Sequence, residues 1–282
     1  MIIWIASYPK SGNTWLRALL SSYYFSKDGF FNQNYLKKIA QFPEKRHFKD
    51  FNYNSNVVTD TSKFWIQAQE LINKDSKIKL IKTHNILGGI NNSNFTDSKN
   101  TLAAVYIVRD PRNIITSLQN HYEMTSSQSL EFMLNEKKYI YDHHKRDDYS
   151  DFQFISSWEK HYQSWLNQKD FPVKMIKYEN LINNLAKTFE EVIEFISKIS
   201  NSKDVYNKIK AKNSIQSTTF EKMKNIEERD GFFESALSKN ESKKIPFFYL
   251  GPKNNWKDIF DKDFQKKINS TFKINLKELN YT

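Results

Sequence analysis

The stretch Ser7-Tyr8-Pro9-Lys10-Ser11-Gly12-Asn13-Thr14-Trp15-Leu16 combines a cation, side-chain donors at Ser11, Asn13 and Thr14, and a glycine. It follows the apolar run Ile2–Ser7 and leads into a helical pattern over 14–24, where Leu16, Leu19, Leu20 and Tyr23 share one face. A strand that runs into a helix start presents free N–H groups and the positive end of a dipole, which suits an anion. Gly12 lets the backbone approach that anion closely. Turn chemistry alone does not explain these residue types together. The nucleotide triphosphatase loop needs Gly-Lys followed by Ser or Thr, to reach phosphate and hold magnesium. Here Lys10 precedes Gly12 and no such pair exists.

Two further stretches follow the same logic. Lys82-Thr83-His84 closes the apolar run 78–82. A histidine at a sheet end, beside an anion loop, is suited to taking a proton near neutral pH, its ordinary pKa being about 6.5. Tyr106-Ile107-Val108-Arg109-Asp110-Pro111 then carries an arginine at a third strand end, with Ser117 eight residues on. Arg109 can fork onto a phosphate. Pro111 fits the first turn of a helix capped by Asp110, which puts Ser117 two turns in.

These residues require a sheet to bring them together. Four apolar runs read as buried strands, Ile2–Ser7, 78–82, 102–108 and 173–178. Ile3, Ile5, Leu80, Ile81, Val105, Ile107, Met175 and Ile176 are the expected core residues. Each run is followed by a turn and a helical pattern. That alternation predicts an α/β fold: one domain over 1–282, with a central parallel sheet flanked by helices in a three-layer sandwich like that of the phosphate-loop NTPases. Phe154, Trp158, Tyr162 and Trp165 are spaced as one helix face, and Leu185, Phe189, Val192, Ile193 and Ile196 as another.

Composition sets outer limits. The chain has 282 residues, 43 Lys+Arg against 32 Asp+Glu, and a formal charge of +11. The positive balance favours anionic partners without choosing among them. Aromatics at 15% argue against a disordered chain. The absence of cysteine excludes a disulfide scaffold, a thiolate metal site and a cysteine nucleophile. No clear carboxylate cluster offers a metal site, and the His143-His144 pair reads as surface. No run reaches the roughly 20 apolar residues of a membrane span. The opening ten residues lack a basic start and break early, unlike a signal peptide. A cytoplasmic protein is expected.

Tyr8 to Trp15 resembles the 5′-phosphosulfate motif of the cytosolic-type sulfotransferase family, Y-P-K-S-G-T-T-W, with Asn13 in place of a threonine. The resemblance implies transfer of a sulfuryl group from 3′-phosphoadenosine-5′-phosphosulfate (PAPS) to a hydroxyl or amine of a small molecule, releasing 3′,5′-bisphosphoadenosine (PAP). It implies that Lys10, Ser11, Gly12, Asn13, Thr14 and Trp15 hold the donor. Lys10 and Lys82 are implied to assist catalysis, with His84, in the family's K-T-H position, as the general base. Arg109 and Ser117 match the 3′-phosphate segment. Tyr178, Thr218, Phe220 and Met223 match positions around the adenosine.

Near the C-terminus the family carries R-K-G-x-x-G-x-W-K. Here Tyr249-Leu250 replaces the Arg-Lys pair, and Gly251 and Lys253 are the expected substitutes. The family's dimerisation motif is absent, which leaves the oligomeric state open. The acceptor is expected among the polar stretches 42–63, 85–99, 123–151 and 231–244, with Gly231-Phe232-Phe233 as a hinged lid. A nucleotide-dependent small-molecule kinase and a basic nucleic-acid-binding protein are the alternative classes. The first lacks its magnesium motif and the second lacks a recognition module.

Overall fold

The computed structural model describes residues 1–142, 148–239 and 243–281. The His143-His144 pair lies outside the described residues.

Four parallel strands form the sheet: β1 (Ile2–Ser7), β2 (Lys79–Thr83), β3 (Thr101–Val108) and β4 (Val173–Lys177), in the order β2-β1-β3-β4. Strand β1 is central because it is apolar on both faces. Ile3 and Ile5 pack under α1 (Asn13–Phe25) and α4 (Leu185–Ile199), against Leu16, Leu19, Phe189 and Val192. Trp4 and Ala6 face the opposite layer, which contains Trp65 and the helix α3 (Trp158–Asn167). Helices therefore cover both faces, as an all-parallel sheet requires. The chain leaves β1 for β2 on one side and then crosses to β3 on the other. The carboxyl ends of β1 and β3 thus flank a switch point, where α/β sheets open a crevice.

Several expected details shift. Strand β2 begins at Lys79, and Ile78 is exposed. Met175 is exposed rather than core, because β4 is a sheet edge. Tyr178 starts a short helix, Tyr178–Asn183, instead of ending a strand. Phe154 is not on α3. It pairs in a two-residue ribbon with Tyr139, since Ser156 takes a positive φ and the Ser157 side chain caps α3 by accepting from Lys160 N–H. Helix α2 (Pro111–Tyr122) starts as read, with Asp110 accepting from Arg112 N–H at 2.9 Å.

Trp165 ties the core to the sheet end. It is fully buried, stacks near Tyr106, and donates from Nε1 to Asn85 O at 3.0 Å. Trp165→Ala is expected to lower the unfolding free energy by about 3–5 kcal/mol, the range for a buried large-to-small change. A urea midpoint shifted by less than a third of that would show that the cavity collapses. Among the described residues no helix is long and apolar enough to cross a membrane.

Candidate active site

The loop after β1 has two residues with positive φ, Lys10 at 65° and Gly12 at 98°. A side chain at Gly12 would place its Cβ 2.4 Å from the Tyr178 ring, so the loop lies flat on that ring. Gly12 is the N-cap of α1 and no side chain caps the helix. Asn13 lines the crevice, but its Nδ2 is not the free donor expected there. Its Nδ2 donates back to Ile5 O at 3.0 Å and Ser7 Oγ at 3.2 Å, binding loop to strand. Ser11 Oγ is buried without a partner among the described residues. Thr14 Oγ1 donates to Glu234 Oε2 at 2.6 Å.

Register sets the second group: Ala6 lies beside Thr83, so His84 falls next to the end of β1. His84 Nδ1 is 2.7 Å from Ser7 O. A carbonyl only accepts, so Nδ1 carries the proton and donates, and Nε2 keeps its lone pair. The main chain of His84 is held separately. Its N–H donates to Gln153 Oε1 at 2.6 Å, and its carbonyl accepts from His161 Nε2 at 3.0 Å. Burial, with Lys82 nearby, pushes the His84 pKa well below its ordinary value. The unperturbed value expected from sequence does not hold in the folded chain. The shift favours the neutral imidazole.

The charges converge in one place. Burial pulls Lys10 down to about 7, against the opposing pull of Glu234. Burial also lowers the Lys82 pKa. Burial alone would raise Glu234, but Arg17, Lys82 and the Thr14 hydroxyl together hold it well below the usual carboxylate range. Lys10 Nζ rests 4.2 Å from the centre of the Phe247 ring.

On the far side of the loop, Arg109 Nη1 donates to Lys10 O at 2.9 Å and to Ser117 Oγ at 3.2 Å. Its guanidinium stacks 4.3 Å over Tyr178, and its buried Nε has no partner among the described residues. Trp15 meets Tyr178 edge-on, and Thr218, Phe220 and Met223 line the same wall. Gly251 has φ 54°, and a Cβ there would be 2.4 Å from Phe220. Lys253 does not reach the crevice. It is exposed on a one-turn 3-10 helix, and the buried residue after it, Asn254, lines the wall and donates to Asn113 O.

Lys10, Thr14, Lys82, His84, Arg109 and Tyr178 line one open cavity of about 1620 Å³, while Ser11 is fully buried behind it. That volume exceeds the roughly 300–1,000 Å³ of a single-ligand pocket. Stretches 42–63, 123–151 and 231–244 contribute to its wall, through Glu44, Met124 and Phe233 among others. Stretch 85–99 does not. It forms a ribbon whose Phe95 is fully buried against Trp4 and Trp65. Phe232 is buried as well, which pins the expected lid beside Ala18 and Met223. Among the described residues no group of three or more acidic or histidine side chains could hold a metal.

The Sulfotransferase domain family profile matches residues 2–280. The chain belongs to the sulfotransferase family. It is 22% identical to Sulfotransferase 1A1 of Rattus norvegicus over 259 residues, covering 91% of this chain and 78% of that protein. It is 21% identical to Sulfotransferase 1 family member D1 of Mus musculus, covering 96% and 85%. Its fold resembles mouse sulfotransferase SULT7A1 complexed with PAP, with TM-score 0.57, 22% identity, and 98% and 84% of the two chains covered. It also resembles retinol dehydratase in complex with retinol and PAP, with TM-score 0.56, 17% identity, and 98% and 81% covered. Within this sulfotransferase, sequence reasoning missed Arg17, Gln153, Glu234 and Asn254. Only Arg17 left a signal: it lies three residues after Thr14, on the same side of α1.

Proposed function

We propose that this sulfotransferase uses PAPS as donor and transfers its sulfuryl group to a hydroxyl or amine of a small-molecule acceptor. One observation carries the reading: Lys10, Lys82 and a tautomer-fixed His84 line a single cavity large enough for two ligands. The donor fits the residues present. Ser11 Oγ and Arg109 Nε are buried polar atoms lacking partners among the described residues, and the Gly12 cradle excludes any Cβ. Ser11, Thr14 and the start of α1 hold the 5′-phosphate. Arg109 and Ser117 take the 3′-phosphate, with Asn254 beside them in the place expected for Lys253. Trp15, Tyr178, Thr218, Phe220 and Met223 surround the adenosine. The sandwich is read as phosphate-loop NTPase-like in layout, one domain over the chain, without the magnesium-binding Ser or Thr.

When bound, PAPS supplies an activated sulfuryl group whose bond to the 5′-phosphate oxygen breaks as the acceptor attaches. Lys10 stabilises negative charge on the departing oxygen, and Lys82 neutralises the equatorial oxygens. His84 Nε2 accepts the acceptor's proton, while the Nδ1–H···O=C bond to Ser7 keeps the ring oriented. The test is PAP release from PAPS, measured against a panel of phenols, alcohols and amines. Release that rises with an acceptor supports the proposal. No release with any acceptor, beside phosphoryl transfer from Mg·ATP, would replace it with a kinase.

The lysine also sets a pH dependence. In the free chain Lys10 is a cation below about pH 7 and neutral above it. An anion binds the cationic form, so binding above pH 7 takes up a proton. PAP affinity is therefore expected to fall as pH rises, by up to about tenfold per unit for one proton. Calorimetry at several pH values checks this, and a flat profile would remove Lys10 from donor binding.

A further inference from the structure

Glu234 sits among groups suited to an anion from outside. Its carboxylate accepts from Thr14 Oγ1 in the first turn of α1 and from Arg17 Nη1 in the next, and lies 3.8 Å from Lys82 Nζ. Arg17 does not depend on this carboxylate for its place. Its Nε and Nη2 donate to Ile39 O at 3.1 Å and Leu36 O at 3.2 Å, deep in the core. The seat is thus built from the sheet and α1, and Glu234 is brought to it from the segment after α5 (Phe220–Asp230). The side chain is only 14% exposed. A structural ion pair needs one cation, whereas this carboxylate has two cations and a helix-start hydroxyl facing it.

We infer that Glu234 is an internal stand-in for an anionic group of the donor. It fills the Thr14–Arg17–Lys82 seat in the donor-free chain and leaves when the donor's 5′ group arrives. Arg17, two residues beyond the Tyr8–Trp15 motif, becomes a further residue of that seat. The inference rests on the donor reading above. Two anions in one seat repel, so both cannot stay. The backbone need not move far. Phe232 is buried on one side of Glu234, and on the other Ser235 Oγ donates to Glu227 Oε1 at 2.6 Å. The same Glu227 carboxylate accepts from the N–H groups of Phe247 and Phe248. Between these anchors, rotation of the Glu234 side chain clears the seat. Donor affinity is then reduced by the fraction of molecules in which Glu234 fills it.

The test is calorimetric binding of PAP and of adenosine 3′-monophosphate, which lacks the 5′ anion, to wild type and Glu234→Gln. The variant is expected to bind PAP at least about tenfold tighter, with the monophosphate unchanged. Wild type that binds PAP, with a variant that binds it equally or more weakly, would overturn the inference and leave the donor reading intact. Equal tightening of both ligands would also overturn it, since the gain would not come from the 5′ seat. PAP binding to neither protein would end the donor reading and the inference together. Should the variant fail to fold, a crystal structure of wild type with PAP decides. Glu234 is expected off Thr14 and Arg17, and a carboxylate still bonded to both beside PAP would contradict the inference.

Discussion

On replacement of His84 by alanine, turnover is expected to fall by about 10²–10⁴, the range supplied by a positioned general base. PAP affinity is expected to stay as in wild type. The separation follows from how the residue is held. Its main-chain N–H and carbonyl are fixed by Gln153 and His161, independent of the imidazole, so the sheet end keeps its shape. What is lost is the ring's contacts with Ser7, to O at 2.7 Å and to Oγ at 3.3 Å, together with the Nε2 lone pair. Single-turnover transfer measured beside PAP calorimetry tests both halves. Turnover unchanged in the variant would remove His84 from the reaction. Lost PAP binding would make its role structural.

Lys10→Ala is the second large effect. Turnover is expected to drop by about 10²–10³, the typical loss of one preorganised donor at a site of developing charge. PAP should also bind more weakly. The loop itself should survive, because Arg109 grips the Lys10 carbonyl and not its side chain. Trp15 N–H and Leu16 N–H still bond to Gly12 O, keeping α1 intact. The control is urea unfolding: a midpoint near that of wild type ties the loss to the missing charge. Normal single-turnover transfer would disprove the role given to Lys10.

The residues legible in the sequence were those whose meaning is local. Lys10 to Trp15, Lys82 to His84, and Arg109 to Ser117 each span a few positions and follow an apolar run, so strand period and helix start place them. The alternation of runs and helices also gave the parallel sheet, because β1 is apolar on both faces and demands cover on each. What escaped depends on distant contacts. Glu234 meets Thr14 across 220 positions and Gln153 meets His84 across 69, and neither belongs to a local pattern. Lys253 has the charge that an anion site needs, but the Pro252 turn carries it outward and Asn254 inward. Asn13 matched by position in the motif, yet its amide completes the strand-to-loop junction. Phe154 kept the helical spacing, but Ser157 is the better cap and starts the helix after it.

The cavity is proposed to hold a nucleotide with phosphates at both 3′ and 5′ positions. Thermal unfolding with PAP, AMP and Mg·ATP, each in excess, tests it most directly. A ligand that binds only the folded chain adds about 2.7 kcal/mol at 100 times its Kd. A clear rise in Tm is expected with PAP and a much smaller one with AMP, which lacks the 3′-phosphate proposed for Arg109 and Ser117. A rise with Mg·ATP and none with PAP would contradict it.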